Sequence, residues 1–266
     1  MIEYNNLTGD DFLAEDIGKT LDFMVDTAAA LMRTGSPTTR TETWISKIGN
    51  KLGFEVDIAI IYTVIYITIR DSNGNAMTMT KRTGNLSSDF DKFIKIDALV
   101  KKFVDGKVNL SDAHSQLKFI LSADFSYPIF IRLIAAALAC GGFEYILVGG
   151  LMSALASMVL GAMVYAATNY IRLLDNRFFQ QFSSGVIIAI GSWILMPIFK
   201  GSALNGIISG SIMLFVPGLL ITNGFSEISQ GSVISGTIKE SEALALLVAL
   251  VFGISAGSVF VGGLKF

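Results

Sequence analysis

Histidine and cysteine are nearly missing from this chain: His114 and Cys140 stand alone among 266 residues. Too few members remain for a histidine-based metal cluster or a Cys–His catalytic dyad. A lone cysteine cannot close an internal disulfide, and Cys140 lies in an apolar run where a buried, inert thiol is expected. Charge is also scarce, at 16% of residues with a net charge of −2, against about 25% charged residues in an ordinary soluble domain. No basic patch is present to hold a nucleic-acid backbone. No P-loop is present to bind a nucleoside triphosphate. The residues thus point away from an enzyme, with no metal and no cofactor expected.

The scarcity is uneven. Residues 1–128 carry 14 Lys/Arg and 17 Asp/Glu, whereas residues 129–266 carry 6 and 5. Tyr145–Ile171, Phe178–Phe199, Gly201–Ser226 and Ala243–Leu264 contain no charged residue at all, and Ile129–Gly150 is interrupted only by Arg132 and Glu144. A helix needs roughly 20 apolar residues to cross a hydrocarbon core about 30 Å thick. These runs predict five spans near 129–149, 151–171, 180–199, 203–222 and 242–263. Pro128 suits a first helical position, and Gly149-Gly150 makes the turn between the first two spans. Small residues recur every four positions: Ser153/Ser157/Gly161, Ser202/Gly206/Gly210 and Ala249/Gly253/Gly257. Such stripes let helix backbones approach closely in lipid.

The front half reads as an ordinary α+β domain. Ile17, Leu21, Met24, Val25, Ala28, Leu31 and Met32 fall on one helical face, with Gly35 as a C-cap. A second helix over 39–52 is closed by Gly53. β-Branched or alternating runs at 54–61, 64–70 and 76–82 predict strands, with Asp71–Asn75 as a hairpin turn. Helices over 93–104 and 110–122 complete it. The expected architecture is an α+β cytoplasmic domain (1–127) followed by an all-α membrane bundle of five transmembrane helices (128–266). Met1–Asp26 is acidic and has no apolar signal segment, so the N-terminus is expected in the cytoplasm. Five spans then leave the C-terminus outside, and Arg132, Arg172, Arg177 and Lys239 fall on the positive, inner side.

Several motifs in order resemble one family. Leu31-Met32-Arg33-Thr34-Gly35-Ser36-Pro37-Thr38-Thr39-Arg40-Thr41-Glu42 is similar to the soluble-domain signature of threonine/serine exporters. Ala135–Gly150 resembles their first membrane helix. Phe215-Val216-Pro217-Gly218-Leu219-Leu220-Ile221-Thr222-Asn223 resembles their Val-Pro-Gly…Asn segment, and Gln230-Gly231 and Ser235-Gly236 continue the likeness. The resemblance implies a ten-span transport unit. A five-span chain of this layout resembles the large subunit of the split type, which is associated with succinate and similar dicarboxylates. A small membrane subunit would then complete the unit, in a homo- or hetero-oligomer.

Pro217-Gly218 interrupts a helical run, since proline lacks an amide donor and glycine adds freedom. Broken helices at membrane depth line cavities in transporters, so Pro217, Gly218 and Asn223 are candidates for the substrate path; a structural kink is the alternative. Arg132 and Arg172 either form a cationic mouth for anionic substrates or snorkel as anchors. Glu144, and Glu227 second, are candidates for proton coupling, because an ionisable group within a span is costly; a structural hydrogen-bonding role is the alternative for Glu144. Gly35, Arg40 and Glu42 would form a cytoplasmic gate or docking surface, or else a local capping network in which Thr38 or Thr39 caps the second helix. The functional expectation is a proton-coupled secondary exporter of small carboxylates or threonine/serine. A membrane-tethered sensor is the rival.

Overall fold

A computed structural model describes residues 9–84, 89–123, 127–171 and 176–263. The chain divides into two compact units: Met1–Phe125 with Asn223–Lys239, and Ser126–Thr222 with Glu240–Phe266. A single cut near residue 128 therefore leaves out one feature, the return of 223–239 to the N-terminal unit.

The N-terminal unit contains α1 (Gly9–Arg33), α2 (Thr38–Lys51), β1 (Glu55–Ile61), β2 (Val64–Arg70), β3 (Ala76–Arg82), α3 (Phe90–Val104) and α4 (Leu110–Ser122). The strands form an antiparallel sheet in the order β1-β2-β3, with Ile61 opposite Val64 and Arg70 opposite Ala76. Alternation puts Ile65, Ile67 and Ile69 on the buried face. They pack with Phe23, Met24, Leu31, Ile45, Ile48, Ile96 and Phe103 into one core. Asp89 and Asn109 side chains cap α3 and α4 by accepting from Lys92 N–H and Asp112 N–H. Asp26 on α1 accepts from Lys81 on β3 and lies 3.0 Å from His114 Nε2 on α4. Burial opposes its charge, but these two partners outweigh burial and hold the Asp26 carboxyl below its ordinary range.

The second unit is built from α5 (Ile129–Leu147), α6 (Leu151–Ile171), α7 (Arg177–Leu195), α8 (Leu204–Ile212), the first turn of α9 (Gly218–Ser229) and the greater part of α10 (Val233–Gly263). Among the described residues, four helices are long and apolar enough to cross a membrane: Ile129–Leu147, Leu151–Thr168, Arg177–Leu195 and Val233–Gly262. Gly149, with φ +81°, makes the turn between α5 and α6.

The expected fourth span is not one helix. α8 stops at Ile212, Met213–Pro217 is non-helical, and α9 begins at Gly218. Proline cannot donate, and it disfavours helical backbone at the residue before it, so the helix ends upstream of Pro217. The Phe215 carbonyl left by the break accepts from Gln181 Nε2 near the start of α7. At the other end of this segment, Gly206 lies against Glu144 near the end of α5. The helix of the expected fifth span begins at Val233, nine residues before 242, and includes Lys239, buried against Glu227, and Glu242, paired with Arg177.

The small-residue stripes are contact lines. A Cβ on Gly253 would sit 2.1 Å from the Phe182 carbonyl oxygen, and one on Gly185 2.4 Å from that of Leu250, so α7 and α10 touch backbone to backbone. Gly161 faces Cys140 in the same way, and Gly210 faces Glu144 and the Cys140 carbonyl.

Candidate functional site

The signature segment sits at the junction of α1 and α2. After Arg33 the chain closes α1 with Ser36 N–H donating to Leu31 O at 3.1 Å and Gly35 N–H donating to Met32 O at 3.2 Å. Gly35 has φ +98°, the left-handed conformation this cap requires. Pro37 then occupies the N-cap of α2 and makes no side-chain cap. Neither Thr38 nor Thr39 caps the helix through its hydroxyl. The cap arrives from elsewhere in the sequence: Thr38 N–H donates to Glu227 Oε1 at 2.7 Å. A carboxylate here meets the free amides and the positive end of the helix dipole.

Glu227 is completely buried, and its counter-charge is Lys239, itself 3% exposed, which donates to the same oxygen. Glu227 Oε2 and the Thr38 hydroxyl are buried without a hydrogen-bond partner. A buried polar atom without a partner costs about 1–3 kcal/mol.

Three further bonds join residues 223–239 to the α1–α2 turn and to the β1–β2 turn. Asn223 Nδ2 donates to the Gly35 carbonyl at 3.5 Å. Ser235 Oγ donates to the Ile60 carbonyl and accepts from Tyr62 N–H, both at 3.0 Å. Gly236 lets α10 approach α9, since a Cβ there would meet the Gly224 carbonyl oxygen at 2.6 Å. Residues 223–239 are thus a helix–turn–helix clamp on the start of α2 and the β1–β2 turn.

Arg40 and Glu42 diverge on α2. Arg40 bonds Asp97 on α3 at 2.9 Å and lies over the Phe93 ring, away from the clamp. Glu42 accepts a long bond, 3.4 Å, from Ile60 N–H. Burial, joined by the negative charge of Glu227 and opposed by the Ile60 amide, raises the Glu42 pKa above its ordinary value of 4.5.

In the second unit Glu144 is completely buried against α6 and α8. A Cβ on Gly206 would come within 2.7 Å of its Oε1. Gly150 and Ser153 are its nearest donors, though neither closes a bond of full geometry. Ser153 Oγ already accepts from Ala203 N–H at 2.9 Å, which leaves its proton available to the carboxylate. Arg132, some 18 Å of helix rise from Glu144, has a buried Nε without a hydrogen-bond partner. Arg177 pairs with Glu242 at 2.8 Å. Arg172 lies outside the described residues.

Of the residues singled out from sequence, Gly35, Glu42, Asn223 and Glu227 come together. Arg40 does not join them, and Pro217, Gly218, Arg132 and Glu144 belong to the other unit. Lys239 and Ser235 were missed as members of the cluster. The Ser235-Gly236 match was their only signal.

The ThrE family model, described as "Putative threonine/serine exporter", matches residues 22–261. A protein named "Probable threonine/serine exporter" from Mycobacterium tuberculosis is 21% identical over 247 residues, covering 89% of this chain and 45% of that protein. "Pheromone-regulated membrane protein 10" from Candida albicans is 25% identical over 266 residues, covering 93% and 23%. The protein of that name from Saccharomyces cerevisiae is 22% identical over 257 residues, covering 93% and 33%. The chain therefore spans less than half the length of these relatives. No solved structure matches.

Proposed function

This chain belongs to the threonine/serine exporter family, and from that premise we propose that it is part of a proton-coupled secondary exporter moving threonine or serine, or small carboxylates such as succinate, out of the cell. The observation that carries the reading is the family match across residues 22–261, which includes both the apolar helices and the clamp.

In this reading α5, α6, α7 and α10 each cross the membrane, and α8 with Met213–Pro217 makes a broken fifth crossing. The N-terminus is cytoplasmic and the C-terminus external. The run from Gln181 against Phe215 to Gly206 against Glu144 supports a crossing antiparallel to α7. Pro217, Gly218 and Asn223 line the substrate path, with Arg132 and Arg172 gathering anionic groups at the inner end. Asn223 would release the Gly35 carbonyl to bind a substrate carboxylate.

Glu144 and Glu227 carry the proton coupling. Both are wholly buried and each has at least one oxygen without a partner. Proton arrival at Glu227 would remove its charge from Lys239 and from the amide end of α2, loosening the clamp. Gly35 and Glu42 then act as parts of a cytoplasmic gate, with Arg40 holding α2 to α3. A partner polypeptide supplies the remaining spans of the family's ten-span unit.

Inverted membrane vesicles containing the chain, with an imposed pH gradient, test this directly. Accumulation of labelled L-threonine, L-serine or succinate is expected, slowed in Glu144→Gln and Glu227→Gln. No accumulation of any of the three, with or without a co-expressed small membrane subunit, contradicts the proposal.

A further inference from the structure

α8 begins without a side-chain cap of its own, since its N-cap residue is Ala203. Ile207 N–H is bonded to the Ala203 carbonyl at 3.1 Å, so the amides of residues 203–206 have no acceptor within α8. Ser153 on α6 takes the first of them, its Oγ accepting from Ala203 N–H at 2.9 Å.

Glu144 reaches the same turn from α5. A Cβ on Gly206, the third residue of α8, would sit 2.7 Å from Glu144 Oε1 and 3.2 Å from Ser153 Oγ. One on Gly150 would sit 3.2 Å and 3.1 Å from the same two atoms. The carboxylate and the hydroxyl thus share one narrow space between two glycines, at the position where a capping oxygen accepts a helix amide. Both Glu144 oxygens are buried without a closed hydrogen bond, and no counter-charge faces them from the packed helices. α6 and α8 carry no charged residue. The other charge on α5 is Arg132, some 18 Å of helix rise away. Cys140, one turn earlier on α5, is the neighbouring titratable group and is buried.

We propose that Ser153 is a positioning residue for Glu144: it joins the carboxylate to the first amide of α8, so that the charge on Glu144 decides how firmly the broken crossing is held. The inference rests on the proton-coupling reading of Glu144 and adds what the proton moves. With Glu144 charged, Ser153 gives its proton to the carboxylate and keeps a lone pair for Ala203 N–H. The carboxylate also meets the positive end of the α8 dipole. When Glu144 takes up a proton, the charge-assisted bond and the dipole attraction are both lost. α8, nine residues long and followed by the break at Met213–Pro217, is then released as one piece.

Amide exchange in the full chain in detergent micelles, in alkaline buffer, tests the link. Ala203 should exchange about tenfold faster in Ser153→Ala. It should exchange about threefold faster or more in Glu144→Gln, which removes the charge and keeps the shape. Ser153→Cys, a weaker donor of similar size, should fall between Ser153→Ala and the unaltered chain. The Ala189 amide on α7 should keep its rate in all three variants. A hydroxyl that merely capped α8 would leave Ala203 unaffected by Glu144→Gln, so an unchanged rate there overturns the proposal. An unchanged rate in both Ser153 variants overturns it as well. Labelled-threonine uptake into inverted vesicles separates this from the exporter reading. Ser153→Ala should move the pH of half-maximal uptake by about one unit, and an unmoved profile overturns the part of Ser153 while leaving export standing. Absence of uptake by the unaltered chain counts against export, and the exchange rates still decide whether Glu144 holds α8.

Discussion

The N-terminal unit hides its large side chains, while the second unit shows them. Phe23, Phe103, Leu21, Met24 and the isoleucines of β2 are fully buried in the first. In the second, Ile146 is 80% and Val259 76% exposed, and the buried places go to glycine, alanine and serine together with a smaller aliphatic cluster around Leu160 and Ile188. Water drives large apolar groups inward. Lipid exerts no such drive, so the membrane helices keep large residues outside and obtain contact from backbone proximity. The two units share the residue alphabet and use it in opposite senses. Residues 223–239 depart from the rest of their unit: Phe225, Val233 and Ile234 are exposed, while Glu227 and Lys239 are buried as a pair, as a charge must be away from water.

The largest expected effect breaks that pair. Lys239→Met leaves Glu227 buried without its counter-charge and should cost about 3–5 kcal/mol in thermal or denaturant unfolding of the detergent-solubilised chain. The double variant Glu227→Gln with Lys239→Met should recover most of that loss. Next comes deletion from each kind of surface. Phe103→Ala removes a ring packed 5.2 Å from Phe23 and should cost about 3–5 kcal/mol. Ile146→Ala, on the exposed face of α5, should change stability by well under about 1 kcal/mol. Equal losses would contradict the contrast between the units.

Adding one methyl group sharpens it further. Gly253→Ala forces a carbon to 2.1 Å from the Phe182 carbonyl oxygen and should destabilise by about 1–3 kcal/mol. Gly142→Ala meets nothing within 4 Å and should be neutral or stabilising by up to about 1 kcal/mol, given alanine's helix propensity. The smallest effect is a sign. The Glu42 pKa is raised in the folded state, so its protonated form contributes stability below the ordinary value of 4.5, and that contribution is lost as pH rises through the folded value. Glu42→Gln should therefore raise Tm slightly at pH 7 and lose this advantage at pH 4.

Much of this was legible in the sequence. Charge-poor runs mark α5, α6 and α7, the first carrying only Arg132 and Glu144, because solvated charge is costly within a membrane helix. β-Branched alternation and turn residues locate all three strands. Pro217 announces the break in the fourth run, although the upstream stop at Ile212 depends on where α8 can pack, which a linear pattern does not carry. Lys239 and Glu242 look like the wet end of a span when read as isolated charges. They become interior to α10 only once their partners, twelve and sixty-five residues away, are known. Thr38 and Thr39 are the local candidates to cap α2, but the cap is supplied from position 227, a long-range contact that no local capping rule describes.

Amide hydrogen exchange at Thr38 tests the clamp most directly. Pro37 and Thr38 open α2, so this amide has no acceptor within its own helix, and its bond to Glu227 is its protection. The full chain should show Thr38 exchanging slowly. In Glu227→Ala it should exchange at least tenfold faster, a loss of about 1.4 kcal/mol of protection, while the Ile67 amide in β2 keeps its rate as a report on the core. A Thr38 amide that exchanges equally fast in both proteins, with Ile67 unchanged, would contradict the account.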